Sequence, residues 1–289
     1  MNKVDILGVK IDAITLPQAL QQLESMAVDN QGHYAVTPNA EFIMQAQTDA
    51  NFKEVINQAD LALADGVGPI WASKYLAIPL TKISWLAKIQ AFWQLLYSGA
   101  LIFLSPKSIF SVIPERISGS DMVWEISKLA NERNLSIFLV GAAPNVAQTT
   151  AQRLKILYPN LKIAGAITGP PQDPESEVIS KIQELKPNFI FLAFPASEQV
   201  RWIDKYASQI SGVMMGVGGA FDFIANAGAI NAPAGDKSVA KRAPIFMQKR
   251  GLEWLYRYLT QPWRKKRIKT AVIDFTKAVF KHKLNSHSH

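Results

Sequence analysis

The chain has 289 residues, no cysteine, and 31 Lys+Arg against 23 Asp+Glu, a formal net charge of +8. At 48% hydrophobic and 19% charged it is too apolar for a disordered chain. The missing cysteines exclude a disulfide-stapled module, a thiol nucleophile, Cys-ligated zinc and an iron–sulfur cluster.

In chain order, Met1–Ile14 mixes charged and apolar residues and lacks the apolar core of a targeting signal, so a cytoplasmic start is expected. Val4–Ile11 reads as a short strand. Thr15, with Gln18 three residues on, reads as a capping box opening a helix through Leu16, Leu20 and Leu23. Tyr34–Val36 reads as a strand, Glu41–Gln58 as a helix, and Leu61–Ala64 as a strand ending at Asp65-Gly66, with a helix from about Val67. Ile89–Pro106 carries no charge and is rich in Phe, Trp, Tyr and Leu, with Lys82, Lys88 and Lys107 around it. Because strands on both sides must join one sheet, a single membrane crossing is excluded. With Gly99 near the middle, a helical hairpin or an interfacial segment is expected. A buried helix pair or an oligomer contact is the alternative.

Helices at Asp121–Arg133, Val146–Leu157 and Glu198–Gln209, and one opened by Asp173-Pro174, alternate with strands at Ser136–Val140, Lys162–Ile167, Phe189–Phe194 and Gly212–Val217. This alternation predicts an α/β fold, a Rossmann-like and mostly parallel sheet with helices on both faces. The body is expected over residues 1–235, with an apolar insertion at about 78–113. A helical appendage is expected over 236–289, its last residues disordered. Lys237–Lys283 holds fourteen Lys or Arg against Glu253 and Asp274, so +12 sits here and −4 in the rest. Trp254, Tyr256, Tyr258 and Trp263 interleave with Arg257, Arg264, Lys265, Lys266 and Arg267. Aromatics among clustered bases suit an anionic membrane surface. A nucleic-acid arm is disfavoured, since no recognised binding fold accompanies it.

Ligands of such sheets bind beyond the carboxyl ends of the strands. The residues there are Thr37 and Asn39, Asp65-Gly66, Gly141, Thr168-Gly169, Pro195–Gln199 and Gly216–Asp222, which includes Gly218. A dinucleotide reading is weak. Gly141-Ala142-Ala143-Pro144-Asn145 is not a full G-x-G-x-x-G, and the next strand ends at Ile167-Thr168 without an acid for a ribose. Asp65 reads either as a helix N-cap or as a catalytic carboxylate, kept ionised by the helix N-terminus. Thr37 and Asn39 offer a hydroxyl and an amide suited to a sugar. There is no D-x-D, and His33, His282, His287 and His289 lack ligand spacing, so neither metal nor cofactor is expected.

Several segments together resemble the WecG/TagA/CpsF glycosyltransferase family. They are Thr37-Pro38-Asn39-Ala40-Glu41-Phe42, Ala62-Leu63-Ala64-Asp65-Gly66-Val67-Gly68, Glu115-Arg116-Ile117-Ser118-Gly119-Ser120-Asp121 and Phe138-Leu139-Val140-Gly141. Then come Gly216-Val217-Gly218-Gly219-Ala220-Phe221-Asp222-Phe223, Arg242-Ala243-Pro244, Gly251-Leu252-Glu253-Trp254-Leu255-Tyr256-Arg257 and Pro262-Trp263-Arg264. The resemblance implies an inverting transfer of a sugar, N-acetylmannosamine in the best-known members, from a UDP-sugar donor to a polyprenyl-diphosphate-linked GlcNAc acceptor. It implies Asp65 as general base, with Thr37 and Asn39 lining the site. Arg116 would face donor or acceptor, and Gln199 takes the place of a family Gln. It implies a membrane-associated appendage supplying arginines, here Arg257, Arg264 and Arg267. The chain departs from the family at Ser197-Glu198-Gln199-Val200, where P-K-Q-E is usual, in extra residues at Asn226–Val239, and in the insertion between Tyr75 and Glu115. A nucleotide-binding oxidoreductase and a non-enzymatic membrane or nucleic-acid binding module are the competing readings. A homo-oligomer through the apolar insertion is a further option.

Overall fold

The structure is a computed structural model. It describes residues 2–226, 243, 247, 253–260 and 265–287, apart from the side chains of Asn226, Glu253, Trp254, Arg257, Lys266 and His287. The extra residues after Asn226 therefore lie outside the described residues, as do Arg264 and the Arg257 side chain.

The main sheet has six parallel strands in the order β4-β3-β8-β7-β5-β6. They are β3 (Gly32–Val36), β4 (Leu61–Ala62), β5 (Ser136–Gly141), β6 (Lys162–Ile167), β7 (Phe189–Ala193) and β8 (Gly212–Gly216). Strands β7 and β8 are buried along their whole length, which is why they read as unbroken apolar runs. Alternation sends Phe189 and Phe191 to one face and Ile190 and Leu192 to the other, and each face has its own core. One face is covered by α1 (Leu16–Met26), α6 (Gly119–Arg133), α7 (Val146–Leu157) and α10 (Ala220–Asn226). The other carries α2 (Ala40–Gln45), α3 (Ala50–Gln58), α4 (Val67–Ala77), α8 (Glu175–Leu185) and α9 (Ala196–Tyr206). The predicted α/β fold class stands.

Three local expectations change. Val4–Ile11 is not one strand. It is an antiparallel hairpin, β1 (Lys3–Ile6) and β2 (Val9–Asp12), turned by Leu7 and Gly8 at φ 57° and 80°. Two positive φ values in succession give the turn whose twist matches the strands. Buried Asp12 then accepts the Ala62 N–H at 2.8 Å and ties the hairpin to the edge strand. The helix expected over Glu41–Gln58 is two, because Asp49 caps α3 by accepting the Phe52 N–H at 3.0 Å.

The apolar insertion is no hairpin. It is one helix, α5 (Ser84–Leu104), running straight through Gly99. Packing overrides the weak break signal of a lone glycine. Trp71 of α4 donates its indole N–H to Ser98 at 3.0 Å, and the Tyr75 hydroxyl donates to the Ala91 carbonyl at 3.1 Å. Among the described residues no helix is long and apolar enough to cross a membrane.

At the C-terminus, α11 (Glu253–Thr260) precedes a run of α12 (Lys265–Lys269), a π-helical turn (Thr270–Asp274) and α13 (Phe275–His287). Helix continues as far as His287. Packing is the cause. Phe275 and Val279 are buried, and the Lys283 ammonium donates to the Tyr75 carbonyl and, at 2.7 Å, to Gln94 Oε1.

Candidate functional site

Strand order places the site. From β3 the chain runs to α2 and α3 on one face of the sheet, and from the adjacent β8 it runs to α10 on the other, so a crevice opens beyond their carboxyl ends. Thr37, buried, follows β3, with its hydroxyl near the Cα of Gly119 and the end of β8. Asn39 caps α2, its Oδ1 accepting the Phe42 N–H at 3.0 Å. The chain beyond β4 keeps pairing: the Leu63 N–H donates to the Val36 carbonyl and the Asp65 N–H to the Pro38 carbonyl, at 2.8 and 3.0 Å. This carries Asp65 to the edge of the sheet beside Asn39.

Asp65 is not the cap of α4. Gly66 holds that position at φ 81°, a conformation that suits glycine, and no side chain caps the helix. Gly66, Val67 and Gly68 line the cavity in front of Asp65, so a helix N-terminus with its partial positive charge faces that space. Arg116 arrives by backbone pairing, because the Ile117 N–H donates to the Ala64 carbonyl at 2.9 Å. Its guanidinium lies 3.9 Å from the Asp121 carboxylate, which also accepts the Ser118 hydroxyl at 2.7 Å.

Asn39, Asp65 and Arg116 line one cavity of about 600 Å³, within the range of small-molecule sites, and Thr37 lies outside its lining. Its polar lining is Asn39, Glu41, Asp65, Arg116 and Arg267. Arg267, from α12, is bound through Nε and Nη2 to Glu41 Oε2 at 2.8 and 2.6 Å. Its apolar lining includes Trp71 of α4, Leu95, Ile102 and Phe103 of α5, and Ile268, Val272 and Phe275 of the C-terminal helices. Phe275 is buried with its ring edge toward Trp71, at 6.4 Å between centroids.

The remaining sequence candidates gather on neighbouring strand ends, outside the lining of this cavity. Gln199 is buried on α9 and accepts the Gly218 N–H at 3.2 Å. Its amide covers Gly216, where a Cβ would stand 2.6 Å from it, so Gln199 holds the glycine loop after β8. Asp222 lies in the first turn of α10. Gly141 ends β5 at φ 112°, where a Cβ would meet the Ala193 carbonyl oxygen at 2.7 Å. Its glycine is explained by backbone crowding.

Sequence reasoning assigned no role to Glu41, although it lies in the Thr-Pro-Asn-Ala-Glu-Phe segment. It also missed the apolar wall, whose residues come from helices far apart in the chain. Among the described residues no cluster of three His, Cys, Asp or Glu has the arrangement of a metal site.

A parallel sheet with a carboxylate and guanidiniums gathered beyond its strand ends defines an enzyme-type α/β ligand site. The profile of the Glycosyl transferase WecG/TagA/CpsF family matches residues 4–104 and 87–289, and the chain belongs to that family. A relative from Staphylococcus aureus strain MRSA252 is 31% identical over 278 residues, covering 94% of this chain and 90% of the relative. It is an N-acetylglucosaminyldiphosphoundecaprenol N-acetyl-beta-D-mannosaminyltransferase. The protein of that name from strain NCTC 8325 / PS 47 matches with the same identity and coverage.

Proposed function

We propose that this glycosyltransferase moves N-acetylmannosamine from a UDP-sugar to a polyprenyl-diphosphate-linked GlcNAc, in cell-surface polysaccharide synthesis. The carrying observation is the mixed lining of one cavity. A carboxylate, two guanidiniums and a helix N-terminus that no side chain caps share it with a set of apolar side chains. A lipid-linked diphosphate sugar has matching polar and apolar parts, and the S. aureus relatives are named for such an acceptor.

In this reading an acceptor hydroxyl attacks the anomeric carbon of the donor as the bond to UDP breaks. Asp65 takes the hydroxyl proton, and attack opposite the leaving group inverts the anomeric centre. Arg116, Arg267 and the α4 N-terminus stabilise charge on diphosphate oxygens, a role that needs no metal ion. Arg257 and Arg264 are proposed to join them from the appendage, residues 236–289, which closes over the body, residues 1–235. The donor is placed across the ends of β3 and β8, against Thr37 and the loop that Gln199 holds, with Gly141 and Asp222 beyond. The enzyme works as a peripheral protein on the inner face of the membrane.

The experiment offers a panel of UDP-sugars with a prenyl-diphosphate-GlcNAc acceptor in detergent and measures UDP release. UDP-ManNAc should turn over. Asp65→Asn should lower kcat by about 10²–10⁴-fold without moving the thermal midpoint. Turnover of Asp65→Asn within threefold of the parent sinks the base assignment. No UDP release from any donor sinks the transferase reading.

A further inference from the structure

Helix α5 is amphipathic the wrong way round. Its buried positions are small, Ala87, Ala91 and Ser98, the last two hydrogen-bonded by Tyr75 and Trp71 of α4. Leu95, Leu101 and Ile102 are partly buried against the core, but the aromatic residues point outward: Trp85 is 63% exposed, Trp93 64% and Tyr97 62%, with Leu104 at 82%. An ordinary surface helix does the reverse, and a contiguous apolar face of this kind marks a binding surface. The surrounding charge has one sign. From Gly66 to Pro114 there is no Asp or Glu, while Lys88 lies in the first turns of the helix and Lys82 and Lys107 flank it. Aromatics with lysines at their margins match the boundary of an anionic bilayer.

The outer face is continuous with the catalytic cavity. Leu96 and Phe103 line the cavity and are also 48% and 56% exposed. Between them lies Gly99, which lines the same cavity. A Cβ built there meets no heavy atom of the described residues within 4 Å. Glycine here serves no turn and relieves no clash; its effect is to leave the channel open.

We propose that α5 forms the subsite for the prenyl chain of the acceptor. The first isoprene units lie in the cavity against Leu96, Gly99, Ile102 and Phe103, with Ile268 and Val272 opposite. The chain then leaves over Gly99 along the outward face of α5 into the bilayer. This rests on the transferase reading for the identity of the acceptor, but its test needs no turnover.

Gly99→Trp fills the channel from a position with free space, and Gly99→Leu does so with a smaller side chain. Both replace glycine within a helix, so neither should lower the thermal midpoint. The probes are farnesyl diphosphate and inorganic diphosphate, titrated by calorimetry into the full-length protein. The parent should bind farnesyl diphosphate at least tenfold more tightly than inorganic diphosphate. Gly99→Trp should abolish that preference and Gly99→Leu reduce it. A preference that survives in both variants overturns the proposal, as does a parent that does not distinguish the two ligands. An absence of UDP release, with the farnesyl preference intact and lost in Gly99→Trp, would refute the transferase reading and leave the subsite standing.

Discussion

Asp65 and Gly66 divide between them two tasks that a single aspartate often performs. Gly66 takes the cap position of α4, so the Asp65 carboxylate faces the cavity. The same economy does not hold at Arg267, whose guanidinium is bound to Glu41. On the proposed function, a diphosphate must displace or share that contact. Arg267→Ala should therefore lower kcat/KM about 10–100-fold, the worth of a charge-assisted hydrogen bond to phosphate, in a UDP-release assay. Gly141 is of another kind. Gly141→Ala should destabilise by about 2 kcal/mol or more, from positive φ together with the Ala193 carbonyl, as read from denaturant unfolding. His33 sits at the opposite end of the sheet, 2.8 Å from Asp29 and 3.1 Å from Asp60. Burial alone would lower its pKa, but the hydrogen bonds and charges of Asp29 and Asp60 prevail and raise it. A raised histidine pKa stabilises fully below its unfolded value and loses that effect as pH rises through the folded value. His33→Asn should thus cost about 1 kcal/mol near pH 5.5 and progressively less toward pH 8, by thermal melts across that range.

At the scale of elements, the strands and their following helices were legible because each carries its signal locally. Val146–Leu157 and Lys162–Ile167 fall where periodicity and apolar runs put them. The elements misread depend on neighbours. Leu7 adopts positive φ because two short strands must pair, and nothing in its residue type announces it. Helix α5 stays whole because α4 holds it through Ala91 and Ser98, up to the residue before Gly99. Helix α13 is anchored by Lys283, whose pKa burial pushes down to about 8 from the ordinary 10.5. A depressed lysine pKa means that the unfolded chain holds more protons between those values, so stability rises with pH there. The stability of the parent relative to Lys283→Met should shift in the parent's favour from pH 8 to 10.5, by chemical denaturation at each pH.

For the whole molecule, the C-terminal helices line the candidate cavity. Ile268, Val272 and Phe275 complete the cavity wall, and Phe275 and Val279 are buried against the body. Truncation after Gly235 should abolish UDP release. The circular dichroism of the sheet should survive, but the thermal midpoint should fall and a hydrophobic dye should bind the uncovered face of α4 and α5. Full activity after truncation would refute a catalytic part for the appendage.

By itself the sequence determined the alternating α/β order, the strand-end position of Asp65 and the concentration of +12 in one stretch, because each is a property of short segments. Only the tertiary structure decided that Arg267 meets Glu41, that α5 turns its aromatic residues outward, and that residues of α4, α5 and the C-terminal helices line one cavity. Those contacts join positions as much as 226 residues apart, and no local pattern records which distant faces packing will bring together.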